Sequence, residues 1–340
     1  MFSPIIKKCH LVGIGGIGMC GIAEMLLNLN FEVTGSDLEK SDNTQRLENI
    51  GVTINYGHSP DNIKDPDVVI YSSAVPENNP ELMKAKEVGI PIIKRADMLG
   101  ELLRMKWGIA VTGTHGKTTT TSMVGLVLQK AGFDPTVIVG GKLRTVNSTV
   151  KLGLSEFIVA EVDEFDRSIL KVIATSAIIT NIELEHLDCY KDINDIKSVY
   201  VEFCSKIPFY GILSLYIDNI NVQDIIPQLD RPITTYGLSA ESEFRADNFK
   251  FDKLNTNFDV YEQKKLLGNF KLNVPGEHNI LNALGCISLT RKMKIPVDRI
   301  KEGLESFTGV FRRFEITEII NDIILVDDYA HHPTEISACL

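Results

Sequence analysis

No apolar run in this 340-residue chain is long enough to cross a bilayer as a helix, which takes about 20 such residues. Positive charge is also scarce. There are 35 Lys and Arg against 45 Asp and Glu, a net charge of −10. Sequence-independent nucleic-acid binding needs a basic surface and is disfavoured. An anionic substrate is not excluded, because local loops and metal ions override a global field. Cysteine is sparse: Cys9, Cys20, Cys189, Cys204, Cys286 and Cys339 are scattered, with no C-x-x-C pair. That usage reads as reduced thiols, mostly small buried apolar groups. Residues 1–8 lack a signal-peptide layout, so a cytoplasmic protein without membrane insertion is expected. Internal repeats and low-complexity tracts are missing too.

The composition, 44% hydrophobic and 24% charged, supplies more than one core, and the length suggests two to three domains. Strand and helix alternate through the first hundred residues. Strands are expected at Cys9–Ile14, Phe31–Gly35, Val52–Tyr56, Val68–Tyr71 and Ile90–Ile93, with helices at Met19–Leu29, Pro80–Val88 and Ala96–Lys106. Such alternation implies an α/β fold with a parallel sheet. Further strands are expected near Val137–Val139, Phe157–Ala160 and Ala177–Thr180, and helices at Ile193–Ser205 and Ile280–Arg291. Residues 244–274 read as antiparallel strands, Phe311–Glu315 as a hinge, and Ile319–Val326 as one more strand.

The most informative stretch follows the apolar run Ile109–Val111. Gly113-Thr114-His115-Gly116-Lys117-Thr118-Thr119 leads into a helix-like Met123–Leu128. A glycine loop between strand and helix aims backbone N–H groups at one point, where the helix N-terminus adds partial positive charge. Lys117 would balance the β- and γ-phosphates of a nucleotide, and the Thr118 hydroxyl would reach Mg²⁺. The strict P-loop spacing is not met, because Val111 stands where its first glycine belongs. A plain turn with a threonine-capped helix would leave Lys117 and the preceding strand unexplained.

Gly13, Gly15 and Gly18 form G-x-G-x-x-G between a strand and a helix, and Asp37 ends the next strand. Alone this pattern suggests NAD. Any nucleotide diphosphate suits such a turn, however, and a separate loop at 113–119 favours two different nucleotide-like ligands. Glycines serving only close strand–helix packing are the plain alternative. Downstream, Phe157–Ala160 ends in Glu161-Val162-Asp163-Glu164-Phe165-Asp166. An acid at a buried strand end is placed for Mg²⁺. Position singles out Glu161, with the other acids as surface residues. His186, beyond the strand Ala177–Thr180, is either a ligand for a second cation or phosphate or a structural histidine.

Together these motifs resemble the Mur ligases. The likeness continues through Thr180-Asn181-Ile182-Glu183, His186-Leu187-Asp188, Pro275-Gly276-Glu277-His278-Asn279 with Asn282, and Arg312-Arg313-Phe314. It ends in Asp327-Asp328-Tyr329-Ala330-His331-His332-Pro333. It spans residues 10–335, and the order and joint presence of the motifs carry it. The resemblance implies three domains: 1–105, Rossmann-like, for the UDP-sugar; 106–314, a central P-loop ATPase-like domain; and 315–340, the start of an amino-acid-binding domain whose pocket is mostly missing. It implies Gly13, Gly15, Gly16, Gly18 and Asp37 at the sugar nucleotide. Residues 113–119, with Asn282 near adenine and Asp328 near ribose, would hold ATP. Thr118, Glu161 and His186 would ligate two Mg²⁺ ions, and Arg313 would face the transferred phosphate. Lys117, His186 and Arg313 are the implied catalytic residues. Some relatives use a carbamylated lysine at the metal; Lys206 lies in the corresponding region and is not assigned that role. Val162 and Cys20 depart from the usual alanine and serine, and both changes are expected to be tolerated.

The implied partners are ATP, UDP-N-acetylmuramate and L-alanine, joined by amide formation through an acyl phosphate. The segments Asn181–Tyr190 and Pro208–Gly211 resemble the alanine-adding branch more than the tripeptide-recycling one. Other readings fare less well. A dehydrogenase has no use for Lys117 or Glu161, and a GTPase would need an N-K-x-D motif, which is lacking. A two-domain protein that binds nucleotides without ligating them remains the rival from a different class.

Overall fold

The computed structural model describes residues 6–143, 148–252, 255–311, 313–320, 323–332, 336–337 and 339. The chain divides into two compact units, Met1–Met105 and Lys106–Leu340.

In the first unit the strands are β1 (Lys8–Val12), β2 (Glu32–Asp37), β3 (Thr53–Tyr56), β4 (Val68–Tyr71) and β5 (Ile92–Lys94). The helices are α1 (Ile17–Asn28), α2 (Asp42–Asn49), α3 (Pro80–Val88) and α4 (Arg95–Arg104). The sheet is parallel throughout, in the order β3-β2-β1-β4-β5. The order reverses at β1, and such a switch point places ligands beyond the carboxyl ends of the strands. There the chain turns through Gly13, whose φ is +75°. Gly35 lies close under it: a Cβ would come 2.7 Å from the Leu11 carbonyl. The unanticipated helix α2 starts at a capping box, in which Ser41 and Thr44 satisfy each other's backbone N–H.

Buried in this unit is the carboxylate of Glu81, at the start of α3. Burial alone would raise its pKa, but hydrogen bonds from His10, Ser36 and Asn62 outweigh that and hold it at about 2, against an ordinary 4.5.

The second unit contains β6 (Trp107–Thr112), α5 (Lys117–Lys130), β7 (Thr136–Leu143), β8 (Ser148–Lys151), β9 (Phe157–Glu161) and β10 (Ser176–Ile179). Next come α6 (Ile193–Ser205), β11 (Leu213–Tyr216), α7 (Ile220–Ile225), β12 (Ile233–Gly237), β13 (Phe244–Asp252), β14 (Asn255–Glu262) and β15 (Lys265–Leu272). Finally there are α8 (Glu277–Lys292), α9 (Val297–Glu305), β16 (Glu315–Ile320) and β17 (Ile323–Asp327). Ten strands form one sheet in the order β15-β14-β13-β12-β11-β10-β6-β9-β7-β8. The run from β13 to β7 is parallel, while β8, β14 and β15 join antiparallel. The expected single strand Ile319–Val326 is instead an antiparallel hairpin, β16–β17. Asn321 and Asp322, between its strands, lie outside the described residues.

Helix α5 is buried along nearly its whole length, and Val124, Val127 and Leu128 join the core formed with α8 and α9. Its polar run is satisfied locally: the Thr121 and Ser122 hydroxyls donate to the carbonyls of Lys117 and Thr118. This bonding offsets the cost of taking the hydroxyls out of water.

Two outcomes follow. A Cβ at Gly303 would sit 2.5 Å from the Val127 Cα, so Gly303→Ala should lose about 1–3 kcal/mol by overpacking. Urea denaturation followed through the single Trp107 measures it; an unchanged midpoint would contradict this packing. Because the Glu81 pKa is depressed on folding, its contribution is complete above the unfolded value and is lost as pH falls from about 4.5 toward 2. Calorimetry across that window should show a shallower loss of stability for Glu81→Gln than for the native chain.

Candidate active site

Strand β6 lies between β10 and β9, with Val111 opposite Glu161 and Thr112 opposite Ile179. The loop leaving β6 therefore opens beside both neighbouring strand ends. Gly113 has φ +129°, and a Cβ there would overlap Thr180 and Asn181; Gly116, the N-cap of α5, has φ +81°, and a Cβ would overlap the Asn282 side chain. Neighbouring residues fix the loop. Thr114 N donates to the Asn181 carbonyl, at 3.3 Å, and His115 N to Asn181 Oδ1, at 2.8 Å. Thr180 Oγ1 donates to the His115 carbonyl, at 2.5 Å, and Glu183 N to Thr114 Oγ1, at 2.9 Å. The first-turn amides of α5 lack intrahelical acceptors, as at any helix N-terminus, an arrangement suited to an anion.

Lys117 Nζ donates to the Gly113 and Thr114 carbonyls, at 2.6 and 3.1 Å, and lies 3.4 Å from Glu164. Burial alone would lower the pKa of this ammonium, but the charges of Glu164, Asp163 and Glu161 outweigh it and move the pKa up. Lys117 is thus a fixed cation. Glu164 was expected on the surface with the other acids; it is instead 2% exposed. Burial pushes its pKa up, with Lys117 opposing.

Thr118 Oγ1 donates to Glu161 Oε2 at 2.8 Å, and Gly140 N meets the same oxygen at 2.8 Å. A hydroxyl and a carboxylate at the mouth of a phosphate loop are the hard oxygen donors that Mg²⁺ takes. His186, with φ +56°, lies instead with Asp163 and Glu164, their ligand atoms all within 4.8 Å of one another. A second such group joins His115, Glu183 and His332. Lys206 donates to the Leu170 carbonyl and pairs with Glu202.

A cavity of about 380 Å³ continues from the loop, within the size range of small-ligand pockets. His115, Gly116, Thr118, Thr119, Asn282, Arg313 and Asp328 all line it. Asn282 accepts from Thr120 Oγ1, and Asp328 accepts from the amides of Phe314 and Ala330. Arg313 lies over the Tyr329 ring at 5.6 Å. Arg312 and Pro333, parts of the recognised motifs, lie outside the described residues. Sequence reading missed Tyr216, Asp218 and Asn219 on this wall. Tyr216 ends β11, which was not anticipated, and Asp218 and Asn219 follow it. It missed His278 as a lining residue too, whose pKa is lowered by burial.

In the first unit, Gly13 N and Ile14 N donate to the Ser36 carbonyl, at 2.9 and 3.0 Å. Gly15 N donates to Asp37 Oδ2 at 2.7 Å. Gly16 caps α1, and Gly18 lies against the Arg95 side chain. Here Asp37 braces the glycine loop directly.

Residues 8–107 match the Mur ligase family, catalytic domain, and residues 111–290 match the Mur ligase middle domain. The chain belongs to the Mur ligase family. It is 50% identical over 335 residues to the UDP-N-acetylmuramate--L-alanine ligase of Geotalea uraniireducens (strain Rf4), covering 98% of this chain and 73% of that protein. Among solved Mur ligases, the UDP-N-acetylmuramate-alanine ligase MurC of Thermotoga maritima superposes with a TM-score of 0.84 at 32% identity, covering 97% of this chain and 76% of that one. The murein peptide ligase of Psychrobacter arcticus gives 0.82 at 27% identity, covering 98% and 75%.

Gly116→Ala imposes a left-handed conformation on alanine, at about 1–2 kcal/mol, and an overlap with Asn282. ATP binding in this Mur ligase should weaken at least tenfold in calorimetry while the fold persists. Unchanged affinity would remove Gly116 from the nucleotide site.

Proposed function

We propose that this chain carries out ATP-dependent ligation of L-alanine to UDP-N-acetylmuramate in the cytoplasm, during synthesis of peptidoglycan precursors. The observation that carries the reading is the convergence of His115, Gly116, Thr118, Thr119, Asn282, Arg313 and Asp328 on one cavity, with Glu161 bonded to Thr118 at its edge. The 50% identity to an alanine-adding relative supports the choice of substrates. Residues 1–105 would take the sugar nucleotide and 106–314 ATP, with 315–340 opening the amino-acid-binding part.

A carboxylate is a poor electrophile. Transfer of the γ-phosphoryl of ATP to the lactyl carboxylate creates an acyl phosphate and releases ADP. The amine of L-alanine then attacks the acyl carbon, phosphate leaves with its bonding electron pair, and the amine loses a proton. The first step brings two anions together. Lys117 and the loop amides offset that repulsion and stabilise the transferring group. Arg313, which lines the same cavity, would face it. Thr118 and Glu161, with His186, Asp163 and Glu164 as a second set, would hold Mg²⁺, which when bound neutralises phosphate charge. Asn282 and Asp328 would orient adenine and ribose. No protein nucleophile is needed.

Phosphate release dependent on both UDP-N-acetylmuramate and L-alanine tests this reading. Release with a murein tripeptide in place of alanine would move the chain to the recycling branch. Binding of both nucleotides without release would remove the ligase reading. Lys117→Ala should lower turnover at least about a hundredfold, the scale of losing one such stabiliser. Near-native turnover would contradict the assigned role.

A further inference from the structure

The mechanism makes no use of the most enclosed carboxylate in the first unit. Glu81 is 0% exposed, and its partner His10 is 1% exposed. Its two oxygens meet five donors. Oε2 accepts from His10 Nε2 at 2.9 Å and from Ser36 Oγ at 2.7 Å. Oε1 accepts from Asn62 Nδ2 at 2.7 Å, His58 Nδ1 at 3.2 Å and Ser59 N at 3.3 Å. The donors come from β1, the end of β2 and the segment after β3, three neighbouring strands of the sheet. The second nitrogen of His10 meets Thr34 Oγ1, also on β2, at 2.9 Å.

A buried ion adds little stability over a well-packed apolar group, so its use must be sought in what it orders. Here it orders the rim of the glycine loop. The Ser36 hydroxyl is held by Glu81, and the Ser36 carbonyl receives the amides of Gly13 and Ile14. The next residue, Asp37, receives the amides of Gly15 and Leu38. A connected path of hydrogen bonds therefore runs from Glu81 through Ser36 to the loop, with no exposed link until the loop itself.

We propose that Glu81 is a positioning residue for the sugar nucleotide. By fixing Ser36 and His58 at the strand ends, it holds the loop of Gly13, Gly15 and Gly16 in the shape that receives the diphosphate. This rests on the reading of that loop as the sugar-nucleotide site. Glu81→Gln keeps the side-chain volume but turns an NH₂ group toward donors, which breaks one side of the network. Ser36→Ala cuts the path at its middle and leaves the other four donors on Glu81.

The test is steady-state kinetics and calorimetry on the whole chain. Both variants should raise the KM for UDP-N-acetylmuramate, about tenfold for Glu81→Gln and less for Ser36→Ala. The KM for ATP should stay within twofold. A lower melting temperature with both KM values unchanged would make Glu81 merely structural and overturn the proposal, as would an equal rise in both. If Glu81→Gln does not fold, Ser36→Ala alone decides. The parent reading is tested separately by titrating the native chain with UDP. No binding there defeats the site assignment, whereas native binding with unaltered variants defeats only the role of Glu81.

Discussion

The register of β6 between its two parallel neighbours governs the proposed nucleotide site. Because Val111 pairs with Glu161 and Thr112 with Ile179, the chain leaving β6 must turn between an acid on one side and Thr180–Glu183 on the other. Two glycines let the backbone pass within contact of Thr180, Asn181 and Asn282, where a side chain would not fit. A slip of one residue would move Glu161 to the other face of the sheet and separate it from Thr118. Parallel sheets place such convergent loops at their carboxyl ends, and the buried helix α5, locked to α8 and α9, keeps its N-terminus aimed at that point.

Electrostatics then divide the site into fixed and exchangeable charge. Lys117 is a cation held against three acids, so its charge is present before any anion arrives. Such an arrangement is preorganised and, in the proposed transfer, would need no reorganisation. Glu161 and Thr118 offer oxygens in contact with each other, and a cation between them would replace a hydrogen bond with coordination. In the first unit the same logic runs with opposite sign: a buried carboxylate gathers N–H and O–H donors and, through Ser36, shapes a loop of amides.

Much of this was legible in the sequence. The parallel sheet of the first unit, the loop at 113–119 and the acid at the end of β9 followed from apolar runs ending in glycine or acid, a pattern set by local chemistry. Helix α6 lies at the anticipated residues, Ile193–Ser205. Strands β11 and β12 were missed because they are only four and five residues long; pairing within the sheet defines them more than propensity does. Helix α9 was missed because nine residues, opened by Pro296 without a side-chain cap, give little signal alone. The hairpin β16–β17 reads as one strand because, in the sequence, Asn321 and Asp322 are the only interruption of the apolar run from Ile319 to Val326. Glu164 was misplaced because an acidic run looks solvated until Lys117, 47 positions earlier, is seen to meet it.

The most direct test is a crystal structure with a non-hydrolysable ATP analogue and Mn²⁺ in place of Mg²⁺. Anomalous scattering should place manganese against Thr118 Oγ1 and a Glu161 oxygen, with the terminal phosphates on Lys117 and the base beside Asn282. Manganese bound away from Glu161, or a nucleotide lodged outside this cavity, would contradict the account.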